Sequence, residues 1–252
     1  LNDSLASLIN YTPHKSFAPN YVNVFEQDDF ELYLRENCLY DSIQPVFYRL
    51  NQPEANTVSP IFQFCDASVP VHDQINIRIK PNVVIPQELR NKIVIKRTDG
   101  RTTSYRKAEW QKDPIATGWL AASFSDFGSY QAFIDNISPT INEPGEADTI
   151  DLSASRNIVF YPRDNTGIKN FRAELDNHWL MFTNDKGSAW IYTFDKRCTF
   201  GVHQLKVRIE DIAGNITEKE WWFKRYPYTP SKKKKAGGKK KVKTGKKVTK
   251  KR

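Results

Sequence analysis

Apolar and polar residues alternate one by one along Ile75-Asn76-Ile77-Arg78-Ile79-Lys80, and again along Leu205-Lys206-Val207-Arg208-Ile209-Glu210. Successive side chains of an extended chain point to opposite sides, so each run has one apolar face to bury and one face for water. A helix cannot use that period, which constrains the chain to sheets whose apolar faces are covered. Shorter runs rich in β-branched and aromatic residues fall at 30–34, 46–50, 61–64, 93–96, 119–124 and 130–134, then at 157–161, 171–175, 179–182, 190–194 and 217–224. Helix signals are scarce. Asp99-Gly100, set between two such runs, predicts a hairpin turn, because glycine supplies the positive φ that tight turns require.

Ser138-Pro139 and Glu143-Pro144-Gly145-Glu146 interrupt the pattern between the two groups of strands. The expected fold is therefore all-β, with two antiparallel β-sandwich domains over 21–137 and 138–226, after a leader over 1–20. The second domain has about the strand count of an immunoglobulin-like sandwich. Beyond Tyr226-Pro227-Tyr228-Thr229-Pro230 apolar residues nearly vanish, so 227–252 is expected to be a disordered Lys-rich tail. A length of 252 residues accommodates two such domains, and 39% hydrophobic with 13% aromatic residues is the composition of a chain with folded cores.

The tail carries Lys232, Lys233, Lys234, Lys235, Lys239, Lys240, Lys241, Lys243, Lys246, Lys247, Lys250, Lys251 and Arg252. Removing these thirteen from the 38 Lys and Arg leaves 25 bases against 29 acids, a net charge of −4 for the rest of the chain. The formal +9 thus belongs to the tail and not to the folded surface. Such a tail is expected to bind anionic polymers, nucleic acid included, without specificity. Base readout is not expected, since the body has no groove-reading helix and no basic stripe interleaved with aromatics.

Catalytic constellations are sought without success. His14, His72, His178 and His203 are isolated, with no HExxH, HxH or HxxxD among them, so no catalytic or metal-binding residue is assigned, and His72 and His203 are read as structural. There is no GxSxG elbow, and Cys198 near His203 lacks a third group to orient the pair. The single glycine-dense stretch, Ala236-Gly237-Gly238, lies in the tail and not at a strand-to-helix turn that could cradle phosphate. Cys38, Cys65 and Cys198 are odd in number and widely spaced, which favours buried free thiols while leaving one disulfide open. Asp164-Asn165-Thr166-Gly167 and Asp211-Ile212-Ala213-Gly214-Asn215 are read as turns closed by aspartate, in preference to calcium ligation. Trp119, Trp179, Trp190, Trp221 and Trp222 are read as core, in preference to a sugar-stacking platform. No apolar run is long enough to cross a bilayer, and the start at Leu1, without methionine or a basic leader, is expected of a soluble processed form or excised piece.

The run from Asn157 through Asp164-Asn165-Thr166-Gly167-Ile168, continuing to Trp190-Ile191-Tyr192-Thr193-Phe194-Asp195 and Gly201-Val202-His203 to Asn215, resembles a known module. It is similar to the immunoglobulin-like module that follows the catalytic domain in lysostaphin/LytM-type zinc endopeptidases, metallopeptidase family twenty-three. Asn37 to Asp41 with Val69 to His72, and Phe127 to Asp135 with Pro139 to Ile141, resemble the segment joining peptidase and module. The resemblance implies a non-catalytic accessory region that positions a peptidoglycan endopeptidase at the cell envelope, in the periplasm or outside the cytoplasm. Its partner would be the cell wall or another anionic envelope polymer. Zinc, and the HxxxD and HxH ligands that have no counterpart here, would belong to a peptidase domain upstream of Leu1. The competing expectation is a stand-alone binding protein whose basic tail takes anionic polymers or nucleic acid.

Overall fold

The computed structural model describes residues 9–11, 16–52, 54–111, 118–184 and 187–230, and every structural statement below is made of these residues. The chain is almost entirely β. In order, the first half holds β1 (Ile9–Tyr11), β2 (Asn23–Glu26), β3 (Phe30–Leu34), β4 (Phe47–Leu50), β5 (Ile61–Phe64) and β6 (Ile75–Ile79). After a short 3-10 helix (Gln87–Lys92) come β7 (Ile93–Thr98), β8 (Thr103–Lys107), β9 (Glu109–Trp110), β10 (Leu120–Phe124) and β11 (Gly128–Ile134). These strands form two antiparallel sheets, β1-β4-β5-β11-β7-β8 and β2-β3-β6-β10-β9.

The alternation along β6 does what its period requires, burying Ile75, Ile77 and Ile79 and turning Asn76 and Arg78 outward. β3 does the same with Phe30, Leu32 and Leu34. Between the sheets Phe30 stacks on Phe47 and Phe62 at ring separations of 5.5 and 5.0 Å, and on Tyr130 at 6.0 Å. The Tyr130 hydroxyl donates to the Asp126 carbonyl at 3.0 Å, and burial pushes its pKa up. Arg97 is also interior. It donates through Nε to the Phe127 carbonyl at 2.9 Å and pairs with Asp99 at 3.1 Å, tying the Asp99-Gly100 hairpin to the start of β11. Gly100 has φ +85, as the turn between β7 and β8 requires.

β2 escapes the sequence pattern because its burial is inverted. Asn23 is buried and Val24 exposed, since the Asn23 amide accepts from the Ala18 N–H and donates to the Ala18 and Tyr21 carbonyls. The first sandwich also begins before residue 21: Phe17 is buried against Phe64, bridges to Ile43, and β1 pairs with β4.

The second half holds β12 (Thr149–Asp151), β13 (Asn157–Phe160), β14 (Ile168–Leu175), β15 (His178–Leu180), β16 (Thr183–Asn184), β17 (Trp190–Thr193), β18 (Gly201–Asp211) and β19 (Ile216–Arg225). Its sheets are β12-β19-β18-β14-β15 and β13-β17-β16, a second two-sheet β-sandwich. Leu205, Val207 and Ile209 of β18 face inward with Trp221 and Phe223 of β19, and they meet Phe160, Leu175 and Tyr192 in a core separate from the first. The pairing is antiparallel except at one edge, where the three-residue β12 runs parallel to β19. Cys38, Cys65 and Cys198 are all buried and free; burial pushes the Cys198 thiol up to about 11.

Candidate functional site

Among the described histidines, His178 and His203 share Asp176 as a partner, whereas His72 has a different one. His72 Nδ1 lies 3.0 Å from the Tyr40 hydroxyl, and His178 Nδ1 lies 2.9 Å from the Asp176 carbonyl. His203 is interior, with Nδ1 2.7 Å from Asp176 Oδ2 and Nε2 3.0 Å from the Thr199 carbonyl, so its ring serves the fold and not Cys198. His14 and all thirteen tail cations, Lys232 to Arg252, lie outside the described residues.

The tryptophans divide. Trp221 stacks on Phe160 at 5.1 Å and Trp190 on Phe171 at 4.5 Å, both in core positions. Trp179 and Trp222 are exposed, which departs from the core reading, because β15 is an edge strand and Trp222 sits on the outward parity of β19. Trp119 flanks the outer face of the first sandwich, where the Arg78 guanidinium lies 5.7 Å from its ring. That face carries a groove of about 690 Å³ whose lining includes Tyr33, Asn76, Arg78, Glu31, Arg106 and Ser123. Arg78 pairs with Glu31, and the Ser123 hydroxyl donates to Asn76 Oδ1 at 2.7 Å.

The most unusual chemistry lies at the seam between the sandwiches. Lys92 Nζ donates to the Gly214 carbonyl at 2.8 Å and Lys107 Nζ to the Ala213 carbonyl at 2.9 Å, so two cations of the first sandwich hold the β18–β19 turn of the second. Burial, aided by Lys169 and Lys92, lowers the Lys107 pKa against the opposing pull of Glu210 and Asp211.

Beside this clamp, Asp135, Asp164 and Asp211 bring carboxylate oxygens within 4.8 Å of one another, and Asp135 and Asp211 are buried. Like charges no farther apart than this repel by at least about 3 kcal/mol at an effective dielectric of about 20.

Local turn chemistry places each aspartate. Asp164 Oδ1 accepts from the Thr166 and Gly167 N–H groups at 2.8 and 3.0 Å, and Asp211 Oδ1 from those of Gly214 and Asn215 at 2.6 and 2.7 Å. Both are the aspartate-closed turns that the sequence indicates. Asp135 ends β11: its N–H donates to the Lys92 carbonyl at 2.9 Å, and its Oδ2 accepts from the Thr166 hydroxyl at 2.8 Å. Asn215 Nδ2 reaches the Asp135 carbonyl at 3.0 Å and Asp211 Oδ2 at 2.7 Å.

From the sequence, Asp164 and Asp211 are two separate turns and Asp135 closes an apolar strand segment just before Ser138-Pro139, with no signal that joins the three.

Residues 14–135 match the family model of the Zu5-like domain. The match spans the first sandwich. Among solved structures, the fibronectin(III)-like modules of Clostridium thermocellum CbhA are similar at 15% identity, over 61% of this chain and 85% of that chain, with a TM-score of 0.28. No curated protein matches the sequence.

Proposed function

We propose that this chain is a non-catalytic binding and positioning unit of an extracytoplasmic, cell-envelope protein, in which two β-sandwiches are held as one body. The observation that carries the reading is the clamp of Lys92 and Lys107 on the 213–214 turn. Domains joined by an unconstrained linker move relative to one another by default, whereas charge-assisted hydrogen bonds across a seam fix their orientation, and positioning needs a fixed orientation. Peptidoglycan is the proposed partner. Support for it comes from the 157–215 motifs that resemble the module of zinc murein endopeptidases; zinc and the hydrolytic residues would belong to an upstream domain. The groove over Tyr33, Asn76 and Arg78 offers hydrogen-bonding and aromatic groups suited to a polar polymer.

Co-sedimentation with purified peptidoglycan tests the partner, at about 0.5 M salt so that tail electrostatics are screened. Retained binding that weakens in Tyr33→Ala or Arg78→Ala is expected. No binding at that salt would remove the wall as partner. Small-angle scattering of a Lys92→Ala/Lys107→Ala variant tests the clamp, with a larger radius of gyration expected; an unchanged profile would leave the clamp without a positioning role.

A further inference from the structure

The geometry points to a hard divalent cation bound by Asp135, Asp164 and Asp211 at the seam between the two sandwiches. Three observations lead there. The three side chains each present an oxygen within 4.8 Å of the others, close enough for one Ca²⁺ with oxygen ligands at about 2.3–2.6 Å to touch all three. Asp164 Oδ2 is buried, with less than 1 Å² accessible, and has no hydrogen-bond partner, although its sister Oδ1 is fully engaged in the turn. An orphaned carboxylate oxygen out of contact with water is costly unless a cation meets it.

The third observation is a shortage of donors. The single hydroxyl proton of Thr166 faces both Asp135 Oδ2 at 2.8 Å and Asp164 Oδ1 at 2.9 Å. The two amide protons of Asn215 face Asp211 Oδ2 and the carbonyls of Asp135 and Ile137. Among the described residues no Lys, Arg or His forms an ion pair with any of the three aspartates; Lys107 feels the charge of Asp211, but its hydrogen bond goes to the Ala213 carbonyl, and that of Lys92 to Gly214. The site is thus rich in oxygen lone pairs that no cationic side chain contacts directly. With oxygen ligands and no imidazole or thiolate, it suits calcium and not zinc or copper. Because Asp135 ends the first sandwich while Asp164 and Asp211 belong to the second, the ion would join the two, whatever polymer the protein binds.

The experiment uses the full chain, stripped with a chelator and returned to about 0.15 M NaCl. Calorimetric titration with CaCl₂ should show one saturable site per chain. Thermal unfolding should shift upward with CaCl₂, and far less with MgCl₂ or with NaCl of matched ionic strength. Asp164→Asn keeps an oxygen for the 164–167 turn but replaces the orphaned Oδ2 by an amide; it should weaken calcium binding by at least about tenfold and abolish the thermal shift. If the wild-type chain takes up no calcium into the millimolar range, the proposal falls, however the variant folds. Calcium affinity unchanged in both Asp164→Asn and Asp135→Asn would place any bound ion elsewhere and overturn it equally.

Discussion

His203 Nδ1 lies 2.7 Å from Asp176 Oδ2, across the hairpin that joins β14 to β15. The other ring nitrogen lies 3.0 Å from the Thr199 carbonyl oxygen, so both ring nitrogens have an oxygen partner. Asp176 in turn accepts from the Gln204 N–H through Oδ1 at 2.9 Å. Burial works to raise the Asp176 carboxyl, but the His203 and Gln204 hydrogen bonds outweigh it and hold the pKa below the usual carboxylate range.

A folded-state pKa depressed in this way stabilises the protein above the ordinary aspartate value, and the contribution fades as pH falls through the lower folded value. Asp176 is about half exposed, so its ion pair contributes no more than about 1 kcal/mol. Thermal unfolding of Asp176→Asn should therefore show a loss of about 1 kcal/mol at neutral pH. The wild type and the variant should converge in acid, once Asp176 is protonated. A gap that persisted there would mean the variant acts through the turn backbone and not through the charge.

Gly128→Ala is expected to be among the most damaging single-methyl additions. A Cβ on Gly128 would sit 2.6 Å from the Thr98 carbonyl oxygen, a backbone atom that cannot swing away, and φ there is +154. Gly100 also has positive φ, but its Cβ would meet open space. Denaturant melts should give a loss of about 2–4 kcal/mol for Gly128→Ala and about 1 kcal/mol for Gly100→Ala.

Phe30 is the centre of the first aromatic core and has no accessible surface. Phe30→Ala should cost about 3–5 kcal/mol, through lost burial and the cavity left among Phe47, Phe62 and Tyr130. Tryptophan fluorescence should change in two steps, with Trp110 reporting the first core and Trp190 and Trp221 the second.

Limited proteolysis should spare the stretch with Ser138-Pro139 and Glu143-Pro144-Gly145-Glu146 that interrupts the two groups of strands in the sequence. Thr217 Oγ1 donates to the Pro139 carbonyl at 2.6 Å, Thr140 bridges to Arg163, and Asn142 Oδ1 accepts from the Tyr161 N–H at 2.6 Å. Cleavage needs a segment that can leave the surface, and this one is fastened along its first half. Thr217→Ala combined with Asn142→Ala should make it the fastest internal cut under graded protease.

The Lys-rich tail accounts for the positive charge of the chain. Deleting residues 231–252 should abolish low-salt binding to duplex DNA and anionic vesicles while leaving unfolding of the two sandwiches unchanged. In the full chain that binding should fall steeply between about 50 and 200 mM salt, as counterion release dictates.

What the sequence determined by itself is local. A period of two decides which face of a strand is apolar, so β3, β6, β18 and both cores could be read from residue order alone, as could the Asp99-Gly100, Asp164 and Asp211 turns. The signal failed where a polar residue turned inward to serve the backbone, as Asn23 does, and where an aromatic faced out, as Trp179 and Trp222 do. Tertiary structure alone decided the seam. Nothing in the chain near residue 135 foretells residues 164 and 211, because their meeting follows from how one sandwich docks on the other, through Lys92, Lys107 and Asn215. Alternation along a strand specifies a face, whereas the distance between three carboxylates depends on how separate strands and turns are assembled in space.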